Sequence, residues 1–243
     1  MDYVKLANTI NRHIENRPED YGAYIDLLSL CRQWEESDFQ AAHELNEKLR
    51  NLCAKQLRVC SPKDAQKFYE AWRKSLLFDA PHKFDAFMTY IELDRKPDKR
   101  FYAPRRHYLK PMVQGFQDIL DKKLRLLTIS MPKRAGKSQT GINFVNMISG
   151  KFPDRSTLME GTGDDLVKSF YNGCLEYLST PNEYLFYDVF PEARLVQTGA
   201  DTKIINLKSK SRFPTIMCRS IDARQVGLSE ATNVLYLDDC VEG

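Results

Sequence analysis

The chain has 243 residues, enough for one large α/β domain or for a helical module followed by such a domain. Hydrophobic residues make up 42% and charged residues 28%, and the net charge of +3 is too small to indicate a nucleic-acid-binding protein by itself. Because the sequence has no apolar run of ~20 residues and no secretion signal at its N-terminus, we expect a cytoplasmic protein without a membrane partner.

Residues 1–93 are predicted to form a helical module. Apolar residues recur at helical spacing over Asp38–Val59. Ser61 and Pro62 are typical of a helix start, with the serine at the cap and the proline in the first turn. A short helix is expected over Phe84–Leu93, ending before Pro97.

Residues 94–243 are predicted to form an α/β domain, because helical and strand patterns alternate along them. In chain order we expect a helix at Arg106–Leu120, a buried strand at Leu124–Ser130, a helix from Gly136 to Gly150, a strand at Ser156–Glu160, a helix at Asp164–Leu178, a hairpin of Lys203–Leu207 with Thr215–Arg219, and a strand at Asn233–Leu237. This order predicts a parallel-rich sheet with flanking helices and a ligand at the carboxyl ends of the strands.

A phosphate-binding motif lies between the first strand and the following helix of this domain. Met131–Ser138 reads Met-Pro-Lys-Arg-Ala-Gly-Lys-Ser and matches the P-loop pattern, except that Met131 replaces the leading glycine. Lys137 would reach the β- and γ-phosphates of ATP, and the Ser138 hydroxyl would ligate Mg²⁺. The predicted nucleotide contacts in this loop are Pro132, Lys133, Arg134, Ala135, Gly136, Lys137, Ser138 and Gln139.

Lys133 and Arg134 are also catalytic candidates, since a cation beside the γ-phosphate would neutralise charge that develops in the transition state. The alternative is that both are solvated cations on a turn. The missing first glycine argues against a small GTPase.

A pair of carboxylates ends the last predicted strand, far downstream of the P-loop. Asp238 is expected to hold Mg²⁺, and Asp239 to orient or deprotonate the attacking water. Glu242 is a second candidate for the base. Asp-Asp after a strand could be an ordinary turn, but its order after a P-loop favours the magnesium site.

Three segments, in order, resemble the large subunit of bacteriophage terminases, the ATPase that drives DNA into a preformed capsid. Arg95–Leu109 resembles the segment before their ATPase core, and Leu126–Ser138 resembles their P-loop. Gln225–Gly227, ahead of the strand that ends in Asp238-Asp239, resembles the turn before their second motif. Their usual Asp-Asp-Pro reads Asp-Asp-Cys here.

The resemblance implies a RecA/ASCE-like P-loop NTPase that couples ATP hydrolysis to translocation of double-stranded DNA into a procapsid. It also implies ATP and Mg²⁺ as cofactors, and a portal protein, a small terminase subunit and a homo-oligomeric ring as partners in the bacterial host cytoplasm. Such proteins continue into an RNase H-like nuclease domain, so the chain is expected to be truncated before it. The alternatives are a helicase-like DNA translocase and a truncated nucleotide-binding module without turnover.

Residues 95–110 combine clustered cations with interleaved aromatic residues. We expect Tyr102 or Arg105 to lie against the adenine of the nucleotide. Contact with the phosphate backbone of DNA is the second hypothesis, and a solvated linker is the third.

Overall fold

The computed structural model describes residues 2–221 and 230–239. The chain divides into two compact units, with the division between Ala80 and Pro81. This division comes earlier than the predicted boundary after Leu93, because the helix that begins at Phe84 belongs to the second unit. The Phe84 ring packs edge-on against the rings of Phe116 and Phe144, at centroid distances of 5.6 and 5.7 Å. Among the described helices, none has both the length and the apolar character that crossing a bilayer requires.

The described part of the N-terminal unit consists of four helices: α1 (Tyr3–Asn16), α2 (Tyr21–Glu35), α3 (Phe39–Gln56) and α4 (Pro62–Asp79). Each begins after a polar side chain that accepts a hydrogen bond from an amide of its first turn. The predicted start of α4 is confirmed, since Ser61 Oγ accepts from the Asp64 amide at 3.3 Å. The helices enclose a core that includes the fully buried Leu27, Leu49 and Cys53.

One polar cluster lies inside the N-terminal unit. The Asp79 carboxylate is 1% exposed and lies 2.5 Å from both His43 Nδ1 and Arg50 Nη1. Burial alone would raise the pKa of Asp79, but the hydrogen bonds from His43 and Arg50 outweigh it and lower the pKa below the usual value. A buried carboxylate bound to a histidine and an arginine is therefore part of the core of this unit.

The second unit is an α/β structure, as predicted. Its described elements are α5 (Phe84–Tyr90), a short 3-10 helix (Pro97–Lys99), α6 (Arg106–Leu120), α7 (Lys137–Lys151), β1 (Thr157–Gly161), α8 (Asp164–Ser179), α9 (Phe186–Val189), β2 (Leu195–Gly199), β3 (Ile204–Leu207), β4 (Ile216–Ser220) and β5 (Val234–Asp238). The five strands form one sheet in the order β2-β3-β4-β1-β5.

The sheet is mixed, so the expectation of a parallel-rich sheet is wrong for the described strands. β1 is parallel to both β4 and β5, whereas β3 is antiparallel to β2 and β4. The predicted hairpin of β3 and β4 is confirmed, and short connections of this kind impose antiparallel pairing. β2 was not predicted, because its residues are largely exposed and carry no apolar alternation.

The predicted strand at Leu124–Ser130 is also wrong. These residues form no strand, and most of them are exposed, with Leu126 80% exposed. The segment pairs with none of the five described strands, although β5 lies at an edge of the sheet and has one neighbour, β1, among them. Apolar composition favours a strand only where neighbouring strands provide hydrogen bonds and burial.

Helix α7 runs through the interior of the second unit, and its residues Thr140–Gly150 are buried. It passes close to β5, since a Cβ at Gly141 would overlap the Tyr236 ring. Glycine is needed here because the backbone of α7 lies directly against that ring. This contact brings the first turn of α7 to the carboxyl end of β5.

Candidate functional site

The loop before α7 forms a tight turn that contains two residues with left-handed backbone conformation. Arg134 and Gly136 have positive φ angles, of 65° and 95°, and the Ala135 amide donates to Pro132 O at 3.2 Å. Helix α7 then begins without a side-chain cap. The amides of a first helical turn lack partners within the helix, so those of α7 can bind an anion together with the positive end of the helix dipole.

Lys137 joins this loop to the carboxylates that end β5. Its Nζ lies 3.3 Å from Asp238 Oδ1 and forms an ion pair with Asp239 Oδ1. The hydrogen bond to Asp239 raises the pKa of Lys137 above its usual value, against a smaller opposing effect of burial. The two sequence motifs therefore meet at one ammonium group.

The sheet determines where the two acids lie. Because β1 and β5 are parallel and Gly161 is in register with Asp238, both strands end at the same edge. Asp238 is 1% exposed, whereas the side chain of Asp239 is 61% exposed. The chain turns at Asp239, whose φ is 44°, and Thr162 Oγ1 donates to Asp239 O at 2.6 Å. Sequence reasoning missed Thr162, whose only signal is its position directly after β1.

The remaining predicted residues of the loop differ in their surroundings. Ser138 lies in the first turn of α7 and is half-buried, while Lys133 and Arg134 are exposed. The Gln139 side chain is directed towards α8, since its Nε2 donates to the Tyr177 hydroxyl at 3.1 Å. The backbone amide of Gln139, and not its side chain, is therefore the group that is placed to contact a ligand of the loop. Glu242 and the Gln225–Gly227 turn lie outside the described residues.

Tyr102 does not occupy the position expected for a residue that stacks on adenine. It is 1% exposed, and its hydroxyl donates to Asp85 Oδ1 at 2.6 Å. The neighbouring Phe101 lies against the loop instead, because a Cβ at Gly136 would be 2.8 Å from its Cζ. Arg105 accompanies it, with its guanidinium 5.2 Å from the Phe101 ring centroid. Phe101 and Arg105 are therefore the members of the basic segment that approach the loop.

Glu92 holds this aromatic segment in place and was missed in the sequence. Its carboxylate is buried and accepts hydrogen bonds from the amides of Phe101 and Tyr102, at 2.9 to 3.0 Å. Burial raises the pKa of Glu92 above its usual value, and the amide hydrogen bonds only partly offset this effect. A single acidic residue before a basic segment does not form a recognisable motif, so the structural role of Glu92 could not be predicted from the sequence.

No protein-family model, curated protein sequence or solved structure matches this chain. What this site can do chemically therefore has to follow from its own residues.

Several cations of residues 95–110 serve the fold rather than a ligand. Arg95 donates to Glu183 at 3.3 Å, and Arg100 donates to Leu93 O at 2.6 Å. Arg106 forms two hydrogen bonds with the Asp85 carboxylate. The sequence pattern could not separate these cations, which bind other residues of the chain, from cations such as Lys96 and Lys110, which are exposed and remain candidates for a DNA contact.

The donor set fits a divalent cation held beside an anion. A carboxylate and a hydroxyl are the hard oxygen ligands that Mg²⁺ prefers, and Asp238 and Ser138 supply one of each. Lys137 and the uncapped start of α7 supply positive charge next to them. An ammonium, a helix start and a buried carboxylate at one place are suited to a phosphate group together with its metal ion.

Proposed function

We propose that the chain binds ATP with Mg²⁺ at the loop 131–138 and hydrolyses it. The observation that supports this most strongly is the contact of Lys137 with Asp238 and Asp239, which joins the phosphate motif to the acidic motif. A phosphate-binding motif and an acidic motif that share one ammonium group are expected in a P-loop ATPase. An unrelated loop and turn would not be expected to share such a contact.

Each residue then has a separate role in this proposal. Lys137 and the first-turn amides of α7 bind the phosphates, and Ser138 and Asp238 hold the metal. Bound Mg²⁺ would neutralise charge on the phosphate oxygens. Asp239 is exposed beside the buried Asp238, so water can reach its carboxylate, which would orient a water molecule for attack.

We further propose that this ATPase is the nucleotide-binding part of a bacteriophage DNA-packaging motor. The support is the likeness of three ordered sequence segments to terminase large subunits, so this step rests on sequence and not on the geometry of the site. Double-stranded DNA, a portal protein, a small terminase subunit and further copies of the chain are the partners it implies. DNA would be expected to raise the rate of ATP hydrolysis.

Titration of the chain with a fluorescent ATP analogue, with and without Mg²⁺, tests the binding step. Lys137→Ala should weaken affinity by about ten-fold or more, since a charge-assisted hydrogen bond contributes about 1.5–3 kcal/mol. Lys63→Ala, which removes an exposed lysine in the N-terminal unit, is the matched control and should bind like the wild type. Equal affinity in Lys137→Ala and the control would remove the basis of the proposal.

Phosphate release by the same chain separates an ATPase from a module that only binds ATP. Asp239→Asn should retain the affinity to within a few-fold while losing turnover, because this carboxylate is assigned to the water and not to the phosphates. Saturable binding without any turnover by the wild type would favour the binding module over the enzyme.

A further inference from the structure

A cavity lies at the C-terminal end of α7, near its last residue Lys151. Its volume is about 460 Å³, within the range of small-molecule sites. A helix of 15 residues is roughly 22 Å long, so this cavity is well separated from the loop that precedes Lys137. Its walls come from the end of α7, the residues before β1, and the segment after α9.

Cations dominate the lining of this cavity. Lys151, Arg155 and Lys208 line it with His82, and the acids are Asp154 and Glu192. Lys208 pairs with Asp154 at 2.9 Å, so that cation already has a counter-charge. Over residues 2–221 and 230–239, neither Lys151 nor Arg155 has a carboxylate oxygen within 4.0 Å.

Lys151 is the more unusual of these two cations. It is half-buried, and its hydrogen-bonding neighbour is His82, with Lys151 Nζ 3.4 Å from His82 Nδ1. Burial lowers the pKa of Lys151, with Asp121 opposing the shift and Lys83 adding to it. Partly burying an ammonium without a carboxylate costs free energy, and an anion bound in the cavity would offset that cost.

The Phe152 ring orients both cations. Its centroid lies 4.7 Å from Arg155 Cζ and 6.0 Å from Lys151 Nζ. Both charges therefore meet one aromatic ring, and cation–π attraction restricts their positions. Three prolines, Pro81, Pro153 and Pro191, also line the cavity, and their fixed φ angles limit how far its walls can move.

We propose that this cavity binds the phosphate group of a small phosphorylated molecule, with Lys151 and Arg155 as its ligands. The limited volume of the cavity favours a small molecule over a polymer, and the two cations without carboxylate partners favour a dianion. The proposal is independent of the ATP site, because it uses none of the residues at the start of α7.

Pyridoxal phosphate is a suitable probe, since it carries both a phosphate and an aldehyde. The aldehyde condenses with the uncharged Lys151 amine and releases water, and borohydride then donates hydride to the resulting C=N bond, which leaves a stable secondary amine. Peptide mass spectrometry should find the label at Lys151. Inorganic phosphate or a nucleoside monophosphate should suppress it, whereas chloride at equal ionic strength should not.

The chain with Lys137→Ala serves as the background for this experiment, because it lacks the main phosphate ligand of the ATP site. In that background, Arg155→Ala should weaken phosphate protection by about ten-fold or more. The exposed Lys168, on α8, provides the comparison for non-specific labelling. Protection of Lys151 by chloride as well as by phosphate would overturn the proposal, as would protection by duplex DNA alone.

Calorimetry keeps the proposal testable if Lys151 is not labelled. Pyrophosphate titrated into the Lys137→Ala chain should give a saturable heat that Lys151→Met removes. The absence of that heat, or its persistence in Lys151→Met, would overturn the assignment.

Discussion

Tyr102 and Phe101 are adjacent in the sequence but face opposite environments. The Tyr102 hydroxyl is bound to Asp85 in the interior, whereas the Phe101 ring meets the loop at Gly136. Tyr102→Phe should therefore cost about 0.5–1.5 kcal/mol of unfolding free energy, the usual value of one hydrogen bond, and leave ATP affinity unchanged. Urea unfolding and nucleotide titration of the same variant measure both quantities. A loss of ATP affinity without a loss of stability would instead support the prediction from sequence that Tyr102 lies against the adenine.

The raised pKa of Glu92 predicts how the stability of the chain depends on pH. Its pKa in the folded chain is above the ordinary value of 4.5, so the folded state holds this proton more tightly than the unfolded state. The stability contributed by that proton is complete below pH 4.5 and is lost as the pH rises through the raised pKa. The difference in unfolding free energy between the wild type and Glu92→Gln should therefore decrease from acidic to neutral pH. A difference that stays constant or increases would contradict this account of Glu92.

For Asp79, in the N-terminal unit, the contribution to stability depends on pH in the opposite direction. Its pKa is lowered, so its contribution is present above the unfolded value of 3.8 and is lost as the pH falls through the folded pKa. Asp79→Asn should destabilise the chain at neutral pH by about 3 kcal/mol, since it leaves the Arg50 charge without its buried partner. This loss of unfolding free energy should decrease as the pH falls, because protonation of Asp79 removes the same interaction from the wild type. Denaturant unfolding at several pH values measures it.

At the scale of elements, the contact between α7 and β5 determines the distance from the loop to the acids. Gly141→Ala would press a methyl group into the Tyr236 ring and force the helix away from the strand. We expect a loss of about 1–3 kcal/mol in stability and weaker ATP binding, although Gly141 lies beyond the phosphate loop. Ser169→Ala, at an exposed position of α8, is the control. Unchanged stability and affinity in Gly141→Ala would show that this contact does not position the site.

Elements with their own periodicity or caps could be predicted from the sequence, and those that depend on neighbours could not. The bounds of α6 agree with the prediction at both ends, and α4 starts where Ser61 and Pro62 indicate. Leu124–Ser130 has the composition of a buried strand, but burial depends on adjacent strands that the local sequence does not specify. The meeting of Lys137 with Asp238 was expected, because the motif order places Lys137 at the start of a helix and Asp238 at the end of a strand.

On the scale of the whole molecule, the proposed ATP site and the proposed phosphate cavity lie at opposite ends of one buried helix. Binding at either end would stabilise the folded second unit by an amount set by ligand concentration, about 2.7 kcal/mol at one hundred times the dissociation constant. ATP with Mg²⁺ should therefore raise the thermal midpoint of the wild type, and this shift should disappear in Lys137→Ala. Sheet direction at this scale was mispredicted, because β2, which adds a second antiparallel pairing, has no apolar alternation and was not predicted.

The central claim is that Lys137 and Asp238 act on the same Mg²⁺-ATP. A double-mutant cycle on Mg²⁺-ATP affinity, with Lys137→Ala, Asp238→Asn and the double variant, tests it most directly. Residues that share one ligand are coupled by about 0.5–3 kcal/mol, so the double variant should lose clearly less than the two single losses combined. Strictly additive losses, or wild-type affinity in either single variant, would contradict the claim.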